Sequence, residues 1–114
     1  MLAQAANPLK NASTRRSPRA LFSVPITLLH LMSGGVRKAR GITLDLSESG
    51  LGALVQGDLR VGETVEIDLP LPERMLNMVA IVRHTSSVRS GFEFVGLTKE
   101  ERIDINSAVS NLPR

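Results

Sequence analysis

The chain has 114 residues, enough for one domain and short for two. With 42% hydrophobic and 22% charged residues it can build a core, which excludes wholesale disorder. It has no Cys, no Trp, no Tyr and two His, so disulfides, thiol chemistry and thiolate metal sites are excluded and little remains for catalysis. A binding module without metal or cofactor is expected, not an enzyme.

The net charge of +3 hides an uneven distribution. Residues 1–40 carry seven of the 14 Lys and Arg and none of the 11 Asp and Glu, so the remainder is mildly acidic. A cationic segment on a small acidic body points to an anionic partner: a nucleotide, a nucleic acid or an acidic membrane surface.

Residues 1–14 lack periodicity and read as a flexible tail, leaving 15–114 as the domain. Pro18 biases Ser17 away from the helical region, so residues 16–19 are expected to be extended. The apolar stretch 21–32 is too short to span a bilayer. Arg15-Arg16 ahead of it would suit a twin-arginine leader. Pro25 and His30 interrupt the apolar run, however, and no clean small-x-small cleavage pattern follows. A cytoplasmic protein is expected.

From Ala20 the pattern has period two. Phe22, Val24, Ile26, Leu28 and Met32 alternate with polar residues and Pro25, with His30 on the apolar parity. Pro25 predicts an edge or bulged strand there, and Ser33-Gly34-Gly35 a turn. Ile42, Leu44 and Leu46 then predict a half-buried strand whose opposite face carries Thr43, Asp45 and Ser47. Leu51, Ala53 and Val55 continue after Gly50, and Val65, Ile67 and Leu69 form another alternating run before Pro70. Residues 75–82 are apolar on both parities, which predicts a strand covered on both faces. Residues 91–95, with Phe92 and Phe94, complete six strands. Short Gly- and Ser-containing connections predict a six-stranded antiparallel β-barrel, closure removing the exposed edges of an open sheet.

The period then changes. Thr98-Lys99-Glu100-Glu101 is a capping-box sequence. Ile105, Ala108, Val109 and Leu112 fall on one stripe of a C-terminal α-helix over about 98–112, laid on the barrel or capping one end.

Two motifs carry chemistry. Arg15 and Arg19 form R-x-x-x-R, with Arg16 between them. Guanidinium is planar, always charged, and matches phosphate or the guanine edge while stacking on π faces. In an extended segment their Cα atoms span at most ~14 Å, enough for a ligand with two anionic groups and two purine faces. The second motif is Asp45-Leu46-Ser47-Glu48-Ser49-Gly50, or D-x-S-x-x-G. On the outer face of a barrel, Asp45 can accept from a guanine N–H edge or an arginine, and Ser47 can donate to a phosphate oxygen. Gly50 permits a turn or a close approach that a Cβ would obstruct.

These motifs in this order resemble the PilZ domain family, the bacterial receptors for cyclic di-GMP. The likeness extends over Leu51-Gly52-Ala53 after the second motif, Gly62-Glu63-x-Val65 ahead of a strand ending in Leu-Pro, and Gly91-Phe92-x-Phe94 ahead of a helix. It implies a six-stranded barrel with a C-terminal helix and cyclic di-GMP bound on the exterior. Arg15 and Arg19 would clasp guanine and phosphate, with Arg16 as an auxiliary phosphate contact. Asp45, Ser47 and Gly50 would form the opposite side of the site. The resemblance further implies a downstream protein partner; no specific nucleic acid and no membrane insertion are expected. An alternative is a PilZ-like interaction adaptor that ignores the nucleotide.

His30, Asp45 and Ser47 are the residue types of a nucleophilic triad, but Asp and Ser two apart on one strand leave no base between nucleophile and orienting acid. His30 and His84 are expected as partly buried strand residues. Arg37-Lys38-x-Arg40 could greet nucleic acid, yet the aromatic platforms such readers use are missing, since the three Phe suit the core.

Overall fold

The structure, a computed structural model, describes residues 19–111. Its strands are β1 (Ala20–Leu21), β2 (Pro25–Met32), β3 (Gly35–Ser47), β4 (Gly50–Val55), β5 (Thr64–Pro70), β6 (Met75–Thr85) and β7 (Ser90–Val95). The helix α1 covers Lys99–Ser110. All pairings are antiparallel, and β3-β2-β5-β6-β7-β4 returns to β3, closing a six-stranded barrel. The short β1 is an extra strand on β3, with Ala20 opposite Leu46 and Leu21 opposite Asp45.

β5 shows the pattern at its simplest. Val65, Ile67 and Leu69 are fully buried, while Thr64, Glu66 and Asp68 face outward. With Leu28, Leu46 and Leu51 they fill the interior, and Phe22, Phe92 and Phe94 join the same core. Such burial supplies about 1.5–3 kcal/mol for each large apolar side chain. Pro25 does not sit on an edge strand. It is the first residue of β2, a position that tolerates its missing N–H, and β2 is flanked by β3 and β5.

β3 departs from strict alternation. A register shift lies between Thr43 and Asp45, so Ile42 is exposed whereas Thr43 is fully buried. One extra residue in a strand turns every side chain beyond it to the other face. The buried Thr43 hydroxyl stitches down the link between β1 and β2: it donates to the Phe22 carbonyl oxygen and accepts from the Val24 N–H at 2.9 Å. β6 corrects another expectation, because it is covered on its inner face only. Leu76, Met78, Ala80 and Val82 are buried, while Met75 and Val79 stay exposed. Valine suits a pleated outer surface whether or not something lies over it.

The helix begins as expected. Glu101 N–H donates to Thr98 Oγ1 at 3.0 Å, and Thr98 N–H donates to Glu101 Oε1 at 2.9 Å. Ile105, Ala108 and Val109 are buried; Leu112 lies outside the described residues. Asn106 Nδ2 donates to Glu48 Oε2 at 2.7 Å and Arg74 pairs with Asp104 at 3.0 Å. These contacts place α1 over the barrel end formed by the β3–β4 and β5–β6 turns. The opposite end carries the β2–β3 turn, residues 56–63 and the β6–β7 turn.

Candidate functional site

Asp45 lies just beyond the β3 irregularity, half-buried on the outer wall. Its Oδ1 accepts from Arg19 Nη1 at 2.7 Å and from the Gly52 N–H at 3.0 Å. Its Oδ2 is 3.7 Å from Arg89 Nη2. One carboxylate thus gathers two guanidinium groups and a backbone amide from three different segments. Arg19 is held there because β1 pairs with β3, and Arg89 because β7 pairs with β4, setting Gly91 opposite Gly52.

The floor beneath these charges is bare of side chains. A Cβ on Gly52 would lie 3.2 Å from both Asp45 Oδ1 and Arg89 Nη2. Beside it, the His84 ring lies over Gly91, its Nε2 where a Cβ would come within 2.1 Å. His84 is exposed rather than partly buried, since β6 presents it outward at a register shift. Two guanidinium groups, a carboxylate and an imidazole therefore lie over the strip of backbone at Gly52 and Gly91, both buried beneath them. Such a cluster can receive a planar, anionic ligand: phosphate on the guanidinium groups, N–H donors on the carboxylate, a ring face on a guanidinium plane.

The other motif residues occupy different surroundings. Ser47 is fully buried, not solvent-facing. Its Oγ lies 3.0 Å from Ser49 Oγ, accepts from the Ser49 N–H at 3.3 Å and reaches the Gly50 carbonyl oxygen at 3.3 Å, so it braces the β3–β4 turn. Gly50 is buried against β7, where a Cβ would fall 2.0 Å from the Phe92 carbonyl oxygen. Arg15 and Arg16 lie outside the described residues. Sequence reasoning missed Arg89 and the exposed His84. The signal for Arg89 was slight: a lone cation ending the Ser86-Ser87-Val88 turn just before Gly91-Phe92.

Away from this wall, buried His30 places Nε2 3.0 Å from Glu63 Oε1. That oxygen also accepts the Arg60 N–H at 2.6 Å. This backbone hydrogen bond, aided by His30, holds the Glu63 carboxyl below its ordinary value against the opposing effect of burial. Among the described residues no cluster of three metal-ligating side chains occurs, and no helix is long and apolar enough to cross a membrane.

Residues 13–111 match the family model of the PilZ domain. The chain belongs to the PilZ domain family. Solved PilZ domains share its fold. That of CeSA from a cellulose-synthesizing bacterium is 20% identical, covering 82% of this chain and 96% of its own, with a TM-score of 0.66. The PilZ domain of YcgR from Escherichia coli, solved with c-di-GMP, is 18% identical, covering 86% and 90%, with a TM-score of 0.68. The Bacillus subtilis inhibitor of motility MotI/DgrA is 15% identical at a TM-score of 0.68; the match covers 84% of this PilZ chain and 48% of that one. No curated protein sequence matches.

Proposed function

We propose that this protein is a cyclic di-GMP receptor acting in the bacterial cytoplasm without catalysis of its own. Arg15 and Arg19 clasp the guanine faces and phosphates, Arg16 adds a phosphate contact, and Asp45 accepts from a guanine N–H edge. Arg89 extends the cationic side of the site. Ser47 and Gly50 serve by fixing the turn that carries Asp45. Ligand binding draws the segment ahead of the anchored Arg19, residues 15–18, against the β3–β4 wall and so changes the surface presented to a downstream protein. The observation that carries this reading is the meeting of Arg19 and Asp45, one residue from each motif, at 2.7 Å on the outer wall of the barrel. Support also comes from the YcgR PilZ domain of like fold, solved with c-di-GMP.

Calorimetric titration tests it. Saturable heat with cyclic di-GMP is expected, micromolar affinity corresponding to about −8 kcal/mol. Arg15→Ala and Arg19→Ala should each abolish it. Wild-type protein giving no heat at high micromolar ligand overturns the reading. It would favour an adaptor that ignores the nucleotide, a reading to which the enclosed Ser47 hydroxyl lends weight. A partner captured equally with and without the nucleotide would mark that adaptor.

A further inference from the structure

The β2–β3 hairpin outruns the barrel. β5 pairs with β2 only from Thr27 to His30, and β4 pairs with β3 only from Gly41 onward. The tip therefore stands beyond the wall, at the end away from α1. Its rows are fixed by register: Met32 faces Gly35, Leu31 faces Val36, His30 faces Arg37, Leu29 faces Lys38 and Thr27 faces Arg40. Leu31, Met32 and Val36 are all exposed, Val36 at 63%. Among the described residues, Arg37, Lys38 and Arg40 form no ion pair.

The order along the hairpin is what matters. Apolar side chains lead, and at a rise of about 3.4 Å per residue the cations follow roughly 3, 7 and 14 Å behind Val36. Both kinds occur on both faces, since Leu31 and Met32 alternate, as do Arg37 and Lys38. A partner approaching one face would meet only half of them. A plane met end-on by the tip meets them all, apolar groups first and cations behind. Glu66 and Asp68 lie on β5, opposite Leu29 and Thr27, two strands from Lys38 and Arg40. They discourage the flank from lying flat on an anionic plane, which leaves the end-on approach. Glu63, also near this end, is already engaged by the Arg60 N–H and His30.

We propose that the β2–β3 hairpin tip is a peripheral docking device for an anionic lipid bilayer. Leu31, Met32 and Val36 enter the headgroup boundary while Arg37, Lys38 and Arg40 meet lipid phosphates. This requires no spanning segment, and it does not depend on nucleotide binding.

Co-sedimentation of the full chain with phosphatidylcholine vesicles, with and without phosphatidylglycerol, tests it. Partitioning at least tenfold stronger on the phosphatidylglycerol vesicles is expected. The triple variant Arg37→Gln/Lys38→Gln/Arg40→Gln should lower it on the order of 100-fold, and Leu31→Gln/Val36→Gln should also weaken it several-fold. Because the chain has no Trp, Leu31→Trp supplies a sole indole whose emission should shift to the blue on anionic vesicles alone. Absence of vesicle binding, binding unchanged in the triple variant, or an indole that stays in water overturns the proposal. Displacement from vesicles by a random oligonucleotide bound equally well would reassign the patch to nucleic acid.

Discussion

Gly50 is the motif residue whose role the structure changes most, and Gly50→Ala isolates it. The new Cβ would meet the Phe92 carbonyl oxygen at 2.0 Å, its carbon at 3.1 Å and Glu93 Cα at 3.3 Å, all of them backbone. No side chain can swing aside, so β7 must retreat by roughly 1 Å just where Gly50 pairs with Glu93 and Phe94 N–H donates to the Ser49 carbonyl oxygen at 2.9 Å. Overpacking of this kind costs about 1–3 kcal/mol, and one weakened hydrogen bond adds about 1 kcal/mol. A loss of about 2–4 kcal/mol follows, or a fall in Tm of roughly 10–25 °C for a domain of this size. Thermal melting by far-UV circular dichroism reads it directly. If the variant melts within ~2 °C of wild type, a shift near the noise of a surface change, while losing all affinity for the nucleotide, Gly50 acts at the ligand and the reasoning fails.

Thr43→Val keeps the shape but leaves the Val24 N–H without the hydroxyl it donates to, so urea denaturation should show a loss of about 1–3 kcal/mol. Asp45→Ala should lower cyclic di-GMP affinity at least tenfold by calorimetry. Its cost in stability stays near 1 kcal/mol, because the ion pairs it removes are partly exposed. The Glu63 carboxyl is held below its ordinary value, so it contributes stability at neutral pH that is lost as pH falls through its lowered folded-state value. Glu63→Gln should therefore melt below wild type at pH 7, with the gap closing only under acid beneath the usual carboxylate range. An equal gap at every pH would show that the carboxyl's charge is irrelevant.

The strands that read cleanly from sequence are those where one rule operates. β5 alternates without interruption, and its inner and outer faces follow residue by residue. β3 does not, because Ile42, Leu44 and Leu46 carry an unbroken apolar parity through an irregularity fixed by a distant partner, the 22–24 link bonded to Thr43. Nor can local pattern reveal whether Met75 and Val79 are covered, since the same residues suit an open outer face. Met32 has core parity yet sits past the end of the neighbouring strand β5. In the candidate site, the motifs named Arg19 and Asp45, and the β1–β3 pairing brings these two residues together. The duties of Ser47 and Gly50 turn on how closely neighbouring backbone approaches, and that is a tertiary quantity. Arg89 reaches Asp45 from 44 positions away only because two glycines face each other across β4 and β7.

That convergence bears on how the site can exchange partners. Asp45 is held from three sides: Arg19, Arg89 and the Gly52 N–H. If Arg19 turns toward a ligand phosphate, a half-buried carboxylate with no other partner would be costly to leave behind. Here the Gly52 amide and Arg89 remain, and a guanine N–H edge can take the vacated place. On the proposed reading Arg89 acts as a holding partner that eases the exchange, while Arg19 is the one that touches the ligand. Arg89→Ala should therefore weaken cyclic di-GMP binding by less than about tenfold, or about 1.4 kcal/mol, with Arg19→Ala costing far more. The effect of Arg89→Ala should shrink when Asp45 is already replaced by Ala, because the holding role has then vanished. A double-mutant cycle in calorimetry measures this coupling. Additive losses would mean that Arg89 meets the nucleotide independently of Asp45, and the exchange described here would not occur.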